Sequence, residues 1–143
     1  MKGECLCGEV KFSVKGELPN FYQCHCSLCR KATGSSANAA TFVSEECFHW
    51  MSGQDNIRSF QKPTGYRNDF CSNCGSSVPN KLRDTGLIWI PAGLLEGETG
   101  SRVAVHLHLS SSATWEQASS SSIRLDDGPN SLASLHEALQ RTS

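Results

Sequence analysis

Eight cysteines, seven of them gathered in three short clusters, constrain this 143-residue chain more than any other feature of its sequence. The clusters are Cys5-Leu6-Cys7, Cys24-His25-Cys26-Ser27-Leu28-Cys29 and Cys71-Ser72-Asn73-Cys74. Paired spacings of this kind are typical of metal ligands, whereas disulfide scaffolds usually have a cysteine content above about 8–10%. Disulfide pairs or free buried thiols are the alternative interpretation. We interpret the three clusters as metal-binding motifs.

Charge and hydropathy exclude several classes of protein. The formal net charge is −1, from 13 basic and 14 acidic residues, which gives no electrostatic signal for binding to nucleic acid or to an anionic membrane. No apolar stretch is long enough for a signal peptide or a membrane-spanning helix. We therefore expect a cytoplasmic protein without a nucleic-acid or membrane partner. In that reducing compartment, thiols remain available for binding metals.

Short alternating segments separated by turn residues predict a mainly β domain. Strand candidates lie at residues 9–14, 21–23, 37–43, 47–51, 57–61, 66–70, 87–90 and 103–109. Residues 27–33 predict a short helix that ends at Gly34, because glycine favours the left-handed conformation that follows a helix. A serine-rich stretch at 119–122 predicts a linker, and Leu132, Leu135 and Leu139 then recur at helical spacing. We expect residues 1–117 to form one metal-binding domain and residues 118–143 to form a linker and a C-terminal amphipathic helix packed on it.

The first and third clusters together supply four thiolates. Cys71 and Cys74 form a C-x-x-C turn followed by Gly75, and such a turn directs both sulfurs toward one ion. Cys5 and Cys7 can both reach the same ion from a kinked segment. The four cysteines predict a closed zinc site of the structural kind, whose binding free energy would contribute to the free energy of folding.

The central cluster has three thiols and no second pair to complete it. Cys24, Cys26 and Cys29 predict a zinc site with three protein ligands and an open fourth position, which is the arrangement of catalytic zinc sites. His25 lies between two of these ligands, so its side chain should point away from the ion. The alternative is that Cys47 or a histidine completes a second closed site, in which case both ions would be structural.

The charge of the central site predicts which ligand it would accept. Three thiolates leave a zinc ion with a net charge of −1, which makes it a weaker Lewis acid than a three-histidine site. A thiolate-rich site favours a sulfur ligand. Binding would deprotonate a thiol that is mostly protonated in solution, while leaving its sulfur nucleophilic. The sequence therefore predicts that the open position binds a thiol.

These motifs resemble those of the glutathione-dependent formaldehyde-activating enzymes, a family that also includes centromere protein V. The resemblance rests on CLCG at 5–8, CHCSLCRKATGS at 24–35, FCSNCGSS at 70–77 and a late segment at 106–115, and it extends from residue 3 to residue 117. It implies a β-tent fold of several small coiled sheets with two zinc ions. It also matches two sets of zinc ligands: Cys5, Cys7, Cys71 and Cys74 for structural zinc, and Cys24, Cys26 and Cys29 for catalytic zinc.

The resemblance further implies a carbon–sulfur lyase. The founding activity of the family is condensation of glutathione with formaldehyde to S-hydroxymethylglutathione, so the implied partners are a small thiol and a small aldehyde. This chain has Ser112 and Thr114 where relatives often have lysine and proline, so another thiol could replace glutathione if that loop lines the pocket. Two further hypotheses stay open. The chain could be a zinc-stabilised binding module without catalysis, or it could be a glutathione carrier.

Four side chains near the clusters are candidates for binding or proton transfer. Arg30 and Lys31 could bind the carboxylates of a glutathione-like thiol, or could belong to a solvated helix face. His106 and His108 alternate on a predicted strand and should point to one side, where they could act in the pocket or pack without a chemical role. The sequence assigns no general acid.

Overall fold

The computed structural model describes residues 1–116 and 122–140. These ranges contain ten short strands and two short α-helices. The strands are β1 (Lys2–Glu4), β2 (Lys11–Val14), β3 (Phe21–Cys24), β4 (Asn38–Ser44), β5 (Phe48–Ser52), β6 (Ile57–Gln61), β7 (Arg67–Cys71), β8 (Asn80–Lys81), β9 (Leu87–Pro91) and β10 (Val103–Leu107), and the helices are α1 (Ser27–Thr33) and α2 (Leu132–Ala138).

The strands form three small sheets. The first sheet has the order β1-β2-β5, the second has the order β10-β3-β4-β9-β8, and β6 and β7 form a hairpin. Neighbouring strands are antiparallel except for β10 and β3, which run parallel. The prediction of a mainly β fold of several small sheets with a short C-terminal helix is confirmed.

Two apolar clusters hold these sheets together. The larger one joins the first and second sheets and buries Phe12, Phe48 and Ile90. The rings of Phe12 and Phe48 stack with centroids 5.5 Å apart. The smaller cluster consists of Cys5, Val10, Cys71 and Val78. Two of the predicted metal ligands therefore form half of a core cluster, and this part of the core depends on what those sulfurs bind.

Local capping defines α1 and places two of the central thiols on one turn. The sulfur of Cys26 accepts a hydrogen bond of 3.4 Å from the backbone N–H of Cys29, which caps the helix at its N-terminus. At the other end, Gly34 adopts φ 62°, and its N–H donates to the carbonyl of Arg30. The predicted limits of this helix are confirmed.

Three details of the described strands differ from the sequence-based expectation. β1 and β8 were not predicted, because elements of three and two residues are too short to show an alternating pattern. β10 ends at Leu107, and His108 has φ 57° and begins the next turn. The expectation that His106 and His108 share one face of a strand is therefore wrong.

The C-terminal segment contains the predicted helix. Ser131 and Ser134 form a reciprocal capping box at the start of α2. Every described residue from 122 to 140 is exposed, including Leu132 and Leu139. Packing of this helix on the domain stays a prediction, and all but the last residue of the serine-rich stretch lies outside the described residues. Neither described helix is long and apolar enough to cross a bilayer.

Candidate metal centres and the adjoining cavity

The first and third cysteine clusters converge on one site. The sulfurs of Cys5, Cys7, Cys71 and Cys74 all lie within 4.8 Å of one another. The sulfur of Cys7 is 3.6 Å from that of Cys5 and 3.8 Å from that of Cys71. Tetrahedral zinc with Zn–S bonds of about 2.3 Å would separate its sulfurs by about 3.8 Å. The spacing of the four thiols therefore fits a metal ion, and all eight cysteines are free of disulfide bonds.

Hydrogen bonds orient the sulfurs of the four-thiol cluster. The backbone N–H of Val10 donates to the sulfur of Cys5 at 3.3 Å. The hydroxyl of Ser76 lies 3.3 Å from the sulfur of Cys74 and accepts a hydrogen bond of 3.0 Å from the N–H of Leu6. The Ser76 hydrogen bond lowers the pKa of Cys74 to about 6. A thiol whose anion is stabilised in this way is already in the form that binds a metal.

The central cluster forms a separate group of three sulfurs. Cys24 ends β3, Cys26 caps α1, and Cys29 lies in the first turn of that helix. Their sulfurs lie within 4.8 Å of one another. Burial and the neighbouring thiols raise the pKa of Cys29, whereas hydrogen bonds from the amide and thiol of Cys29 outweigh burial and lower the pKa of Cys26. Thiols that compete for one negative charge are a suitable donor set for a cation.

No other titratable side chain within the described residues completes the central cluster. No histidine, carboxylate or further cysteine joins the three sulfurs, and Cys47 instead packs against the larger apolar cluster. His25 faces away from the sulfurs, as the sequence predicted. Its Nδ1 lies 2.9 Å from Oε1 of Glu116, and its Nε2 lies 3.0 Å from Nδ1 of His106. The side chain of this buried histidine therefore pairs with Glu116 and His106 and does not belong to the group of three sulfurs.

A cavity of about 560 Å³ opens on the central cluster. Cys24 and Cys29 line it, and none of the residues of the four-thiol cluster does. The volume lies within the range of about 300–1,000 Å³ that is usual for small-molecule sites. The remaining wall consists of aromatic, apolar, amide and basic side chains, among them Tyr22, Phe42, Tyr66, Trp89, Asn38, Asn80, Arg67, Lys81 and Arg83. The two cysteine clusters therefore differ in their access to a ligand.

The polar groups of the cavity are partly paired. Both Nε and Nη2 of Arg67 donate to the carboxylate of Asp69 at 2.8 Å, so the charge of this cation is largely balanced. Lys81 lies 3.5 Å from Glu45 at an exposed position. Oδ1 of Asn80 is buried without a hydrogen-bond donor among the described residues, while its Nδ2 donates to the carbonyl of Lys81. Because this oxygen is not accessible from the cavity, a ligand N–H group could reach it only if the side chain moved.

Tyr22 and Tyr66 place two phenol groups in the cavity wall. The indole N–H of Trp89 donates to the hydroxyl oxygen of Tyr22 at 2.7 Å. Burial, together with the charge of nearby thiolates, raises the pKa of each tyrosine to about 12, so both phenols keep their protons at neutral pH. Tyr22 was not among the site residues predicted from the sequence. Its position two residues before Cys24 on an extended segment was the available signal, because such residues share a face.

Other candidate side chains lie outside the wall of this cavity. Arg30 and Lys31, the predicted carboxylate ligands, do not line it. Ser112 and Thr114, the unusual residues of the late segment, do not line it either. The basic side chains that do reach it come from β7 and from the segment that begins with β8, which the sequence analysis did not identify as a strand.

Sequence and structure comparisons relate this chain to known proteins. A family model described as glutathione-dependent formaldehyde-activating enzyme matches residues 1–111. A protein of Halomonas elongata, provisionally named a glutathione-dependent formaldehyde-activating enzyme, is 36% identical to this chain over 86 residues. The match covers 54% of this chain and 54% of that protein, so this chain spans about half of the length of that relative. A crystal structure of a Rhodobacter sphaeroides protein matches 73% of this chain and 100% of that chain with a TM-score of 0.56 and 24% identity, which shows a shared fold.

Proposed function

This chain belongs to the family of glutathione-dependent formaldehyde-activating enzymes, and from that membership we propose that it is a zinc-dependent carbon–sulfur lyase. It would join a glutathione-like thiol to a small aldehyde, or cleave the adduct. The observation that supports this most is that the three-thiol cluster faces a cavity, whereas the four-thiol cluster does not. A tetrahedral metal with three protein ligands keeps one position for a substrate, and a metal with four does not.

The two clusters would hold zinc ions with different roles. The structural ion would bind Cys5, Cys7, Cys71 and Cys74, and the catalytic ion would bind Cys24, Cys26 and Cys29. Sets of three and four thiolates at these separations suit zinc in tetrahedral coordination. The hydrogen bond between Cys74 and Ser76 is the kind of outer interaction that orients a metal ligand.

The residues of the cavity would bind and orient the substrates. When bound, zinc at the central cluster would supply a position at which a thiol loses its proton and remains nucleophilic. The rings of Phe42 and Trp89 are part of the wall and would give the bound substrates an apolar surface.

The proposed reaction balances without a redox partner. The sulfur of the thiol forms a bond to the carbonyl carbon, and the electron pair of the C=O double bond moves to oxygen. The thiol loses one proton and the oxygen gains one, so a thiol and an aldehyde give a hydroxyalkyl thioether. Glutathione and formaldehyde are the pair that the name of the family gives.

We also propose that residues 1–117 form the catalytic domain, with residues 118–143 as an appended linker and helix, and that the protein is cytoplasmic. The seven clustered cysteines and the lining residues of the cavity lie between residues 5 and 107, which supports this division. A reducing compartment would keep the seven thiols available for metal.

The purified, zinc-loaded protein provides the test. Glutathione with formaldehyde, followed by other thiols and aldehydes, is examined by NMR exchange spectroscopy, and we expect zinc-dependent interconversion faster than the uncatalysed reaction. X-ray absorption at the zinc edge should show more sulfur neighbours per ion after a thiol is added. Thiol binding without rate enhancement would indicate a carrier, and an unchanged sulfur count would indicate a binding module. Either result would overturn the proposed lyase activity.

A further inference from the structure

The hydroxyl of Tyr22 is a firmly held polar group of the cavity wall. Tyr22 lies on β3, its ring stacks on Phe42 of β4 with centroids 5.4 Å apart, and its oxygen accepts the 2.7 Å hydrogen bond from Trp89 of β9. These strands are neighbours in the second sheet, where Phe42 pairs directly with Trp89. The phenol is therefore fixed at its ring by stacking and at its oxygen by a hydrogen bond.

The same hydrogen bond determines what the phenol can do. Because the oxygen of Tyr22 already accepts the N–H of Trp89, its own proton must point elsewhere, and within the described residues no acceptor receives it. Tyr22 and Cys24 are two positions apart on β3, so they share one face of the strand, and both line the cavity. A fixed O–H donor therefore lies in the cavity on the side of the three sulfurs.

The proposed reaction needs such a donor close to the attacking sulfur. As the carbon–sulfur bond forms, the carbonyl π pair moves to oxygen, and negative charge develops one atom away from the carbon that the sulfur attacks. A donor that is oriented before the reaction stabilises that charge without having to reorganise. The sequence assigned no group to this task.

We propose that Tyr22 is a catalytic residue that donates a hydrogen bond to the aldehyde oxygen, with Trp89 as the residue that positions it; this inference rests on the proposed function. Tyr22 keeps its proton throughout. The proton gained by the product oxygen comes from water and balances the proton released by the thiol. In the cleavage direction, the same hydrogen bond stabilises the hydroxyl oxygen as it loses its proton and the carbon–sulfur bond breaks.

The cavity has a second tyrosine, Tyr66, whose hydroxyl is engaged by the thiol of Cys29, so it is not free to face a substrate oxygen. Tyr66 lies just before β7, and its ring has no stacked aromatic partner among the described residues. Tyr22 has both a stacked ring and a fixed oxygen. An oriented donor contributes more to a transition state than one that must first be ordered, and this favours Tyr22.

Three variants of the zinc-loaded full chain test this proposal with glutathione and formaldehyde. We expect Tyr22→Phe to lower kcat by about 100-fold, the usual effect of removing one preorganised donor, and Trp89→Phe to lower it by about tenfold. Metal content should equal that of the wild type in both variants, and calorimetric binding of glutathione without aldehyde should equal it in Tyr22→Phe, which keeps the ring. Trp50→Phe is the matched control, because Trp50 packs edge-on against Phe48 and does not line the cavity, and its kcat should be unchanged.

An NMR signal gives a readout that does not depend on activity. The indole N–H resonance of Trp89 should move upfield in Tyr22→Phe, because its acceptor is lost, while metal content stays constant. A Tyr22→Phe protein with wild-type kcat would overturn the role of Tyr22 and leave the lyase proposal standing. Loss of zinc or of glutathione binding in this variant would show a structural role and would also overturn it. A wild-type protein without rate enhancement would overturn both proposals.

Discussion

Hydrogen bonds help to lower the pKa of one thiol in each cluster, Cys74 in the four-thiol cluster and Cys26 in the central one. The hydroxyl of Ser76 lies against the sulfur of Cys74, and the N–H of Cys29 donates to the sulfur of Cys26. A hydrogen bond donated to sulfur favours the thiolate over the thiol. Because metals bind thiolates, these groups would control metal affinity without contacting the metal.

Ser76 permits a direct test of this effect. We predict that Ser76→Ala lowers the zinc affinity of the four-thiol cluster by roughly 10- to 100-fold, because the thiolate of Cys74 loses its hydrogen bond. Competition with a chromophoric chelator measures the affinity. Ser72→Ala is the control, since Ser72 is an exposed residue between Cys71 and Cys74. Equal affinities of the two variants would contradict the prediction.

The turn after β5 packs closely against the segment that precedes β2. Gly53 follows β5 with φ 81°, and a Cβ at this position would overlap the backbone carbonyl of Glu9. The hydroxyl of Ser52 donates to the same carbonyl at 3.1 Å. The turn therefore packs directly on the segment that leads from the first cysteine cluster into β2.

A pair of glycine substitutions separates backbone conformation from close packing. Gly53→Ala and Gly16→Ala both place a side chain at positive φ, which costs about 1–2 kcal/mol. Only Gly53→Ala also forces an overlap, because nothing lies within 4 Å of a Cβ at Gly16. We predict that Gly53→Ala lowers the free energy of unfolding more than Gly16→Ala does. Urea unfolding of the metal-bound proteins measures both, and equal losses would mean that the turn shifts without cost.

The elements that the sequence predicted are those whose signals are local. The limits of α1 follow from a capping sulfur and from Gly34, and β6 has the predicted limits, Ile57–Gln61. The end of β10 was not predictable from alternation, because His108 leaves the strand by adopting a left-handed conformation that non-glycine residues seldom adopt. β8 was also missed, and with it the basic segment that it brings to the cavity.

At the scale of the whole molecule, the ligand clusters were predictable and the cavity was not. The sequence grouped the seven cysteines because metal coordination restricts their spacing, and the structure brings the same groups together. The cavity depends instead on residues that are distant in sequence. Tyr22 and Trp89, for example, are 67 positions apart and meet only because β3 and β9 both pair with β4. No local pattern contains that information.

The two clusters also differ in how they are connected to the fold. The four-thiol cluster joins the segment after β1 to the segment around the end of β7, and Cys5 and Cys71 share their core cluster with only two buried valines. The central cluster lies within six consecutive positions and joins β3 to α1, which are already neighbours in the chain. Loss of metal from the four-thiol cluster should therefore unfold the domain, whereas loss of metal from the central cluster should leave it folded.

Matched cysteine-to-serine variants test this difference. We predict that Cys74→Ser loses the ion of the four-thiol cluster and several kcal/mol of folding free energy, because metal binding at such a cluster contributes to folding. Cys26→Ser should lose one ion and the lyase activity but keep nearly the wild-type Tm, since serine can still cap α1. Metal analysis, thermal unfolding and the exchange assay measure the three quantities. If Cys26→Ser unfolded as readily as Cys74→Ser, both ions would be structural. The cavity beside Cys24 and Cys29 would then not contain an open metal position, which is the property that makes it a candidate active site.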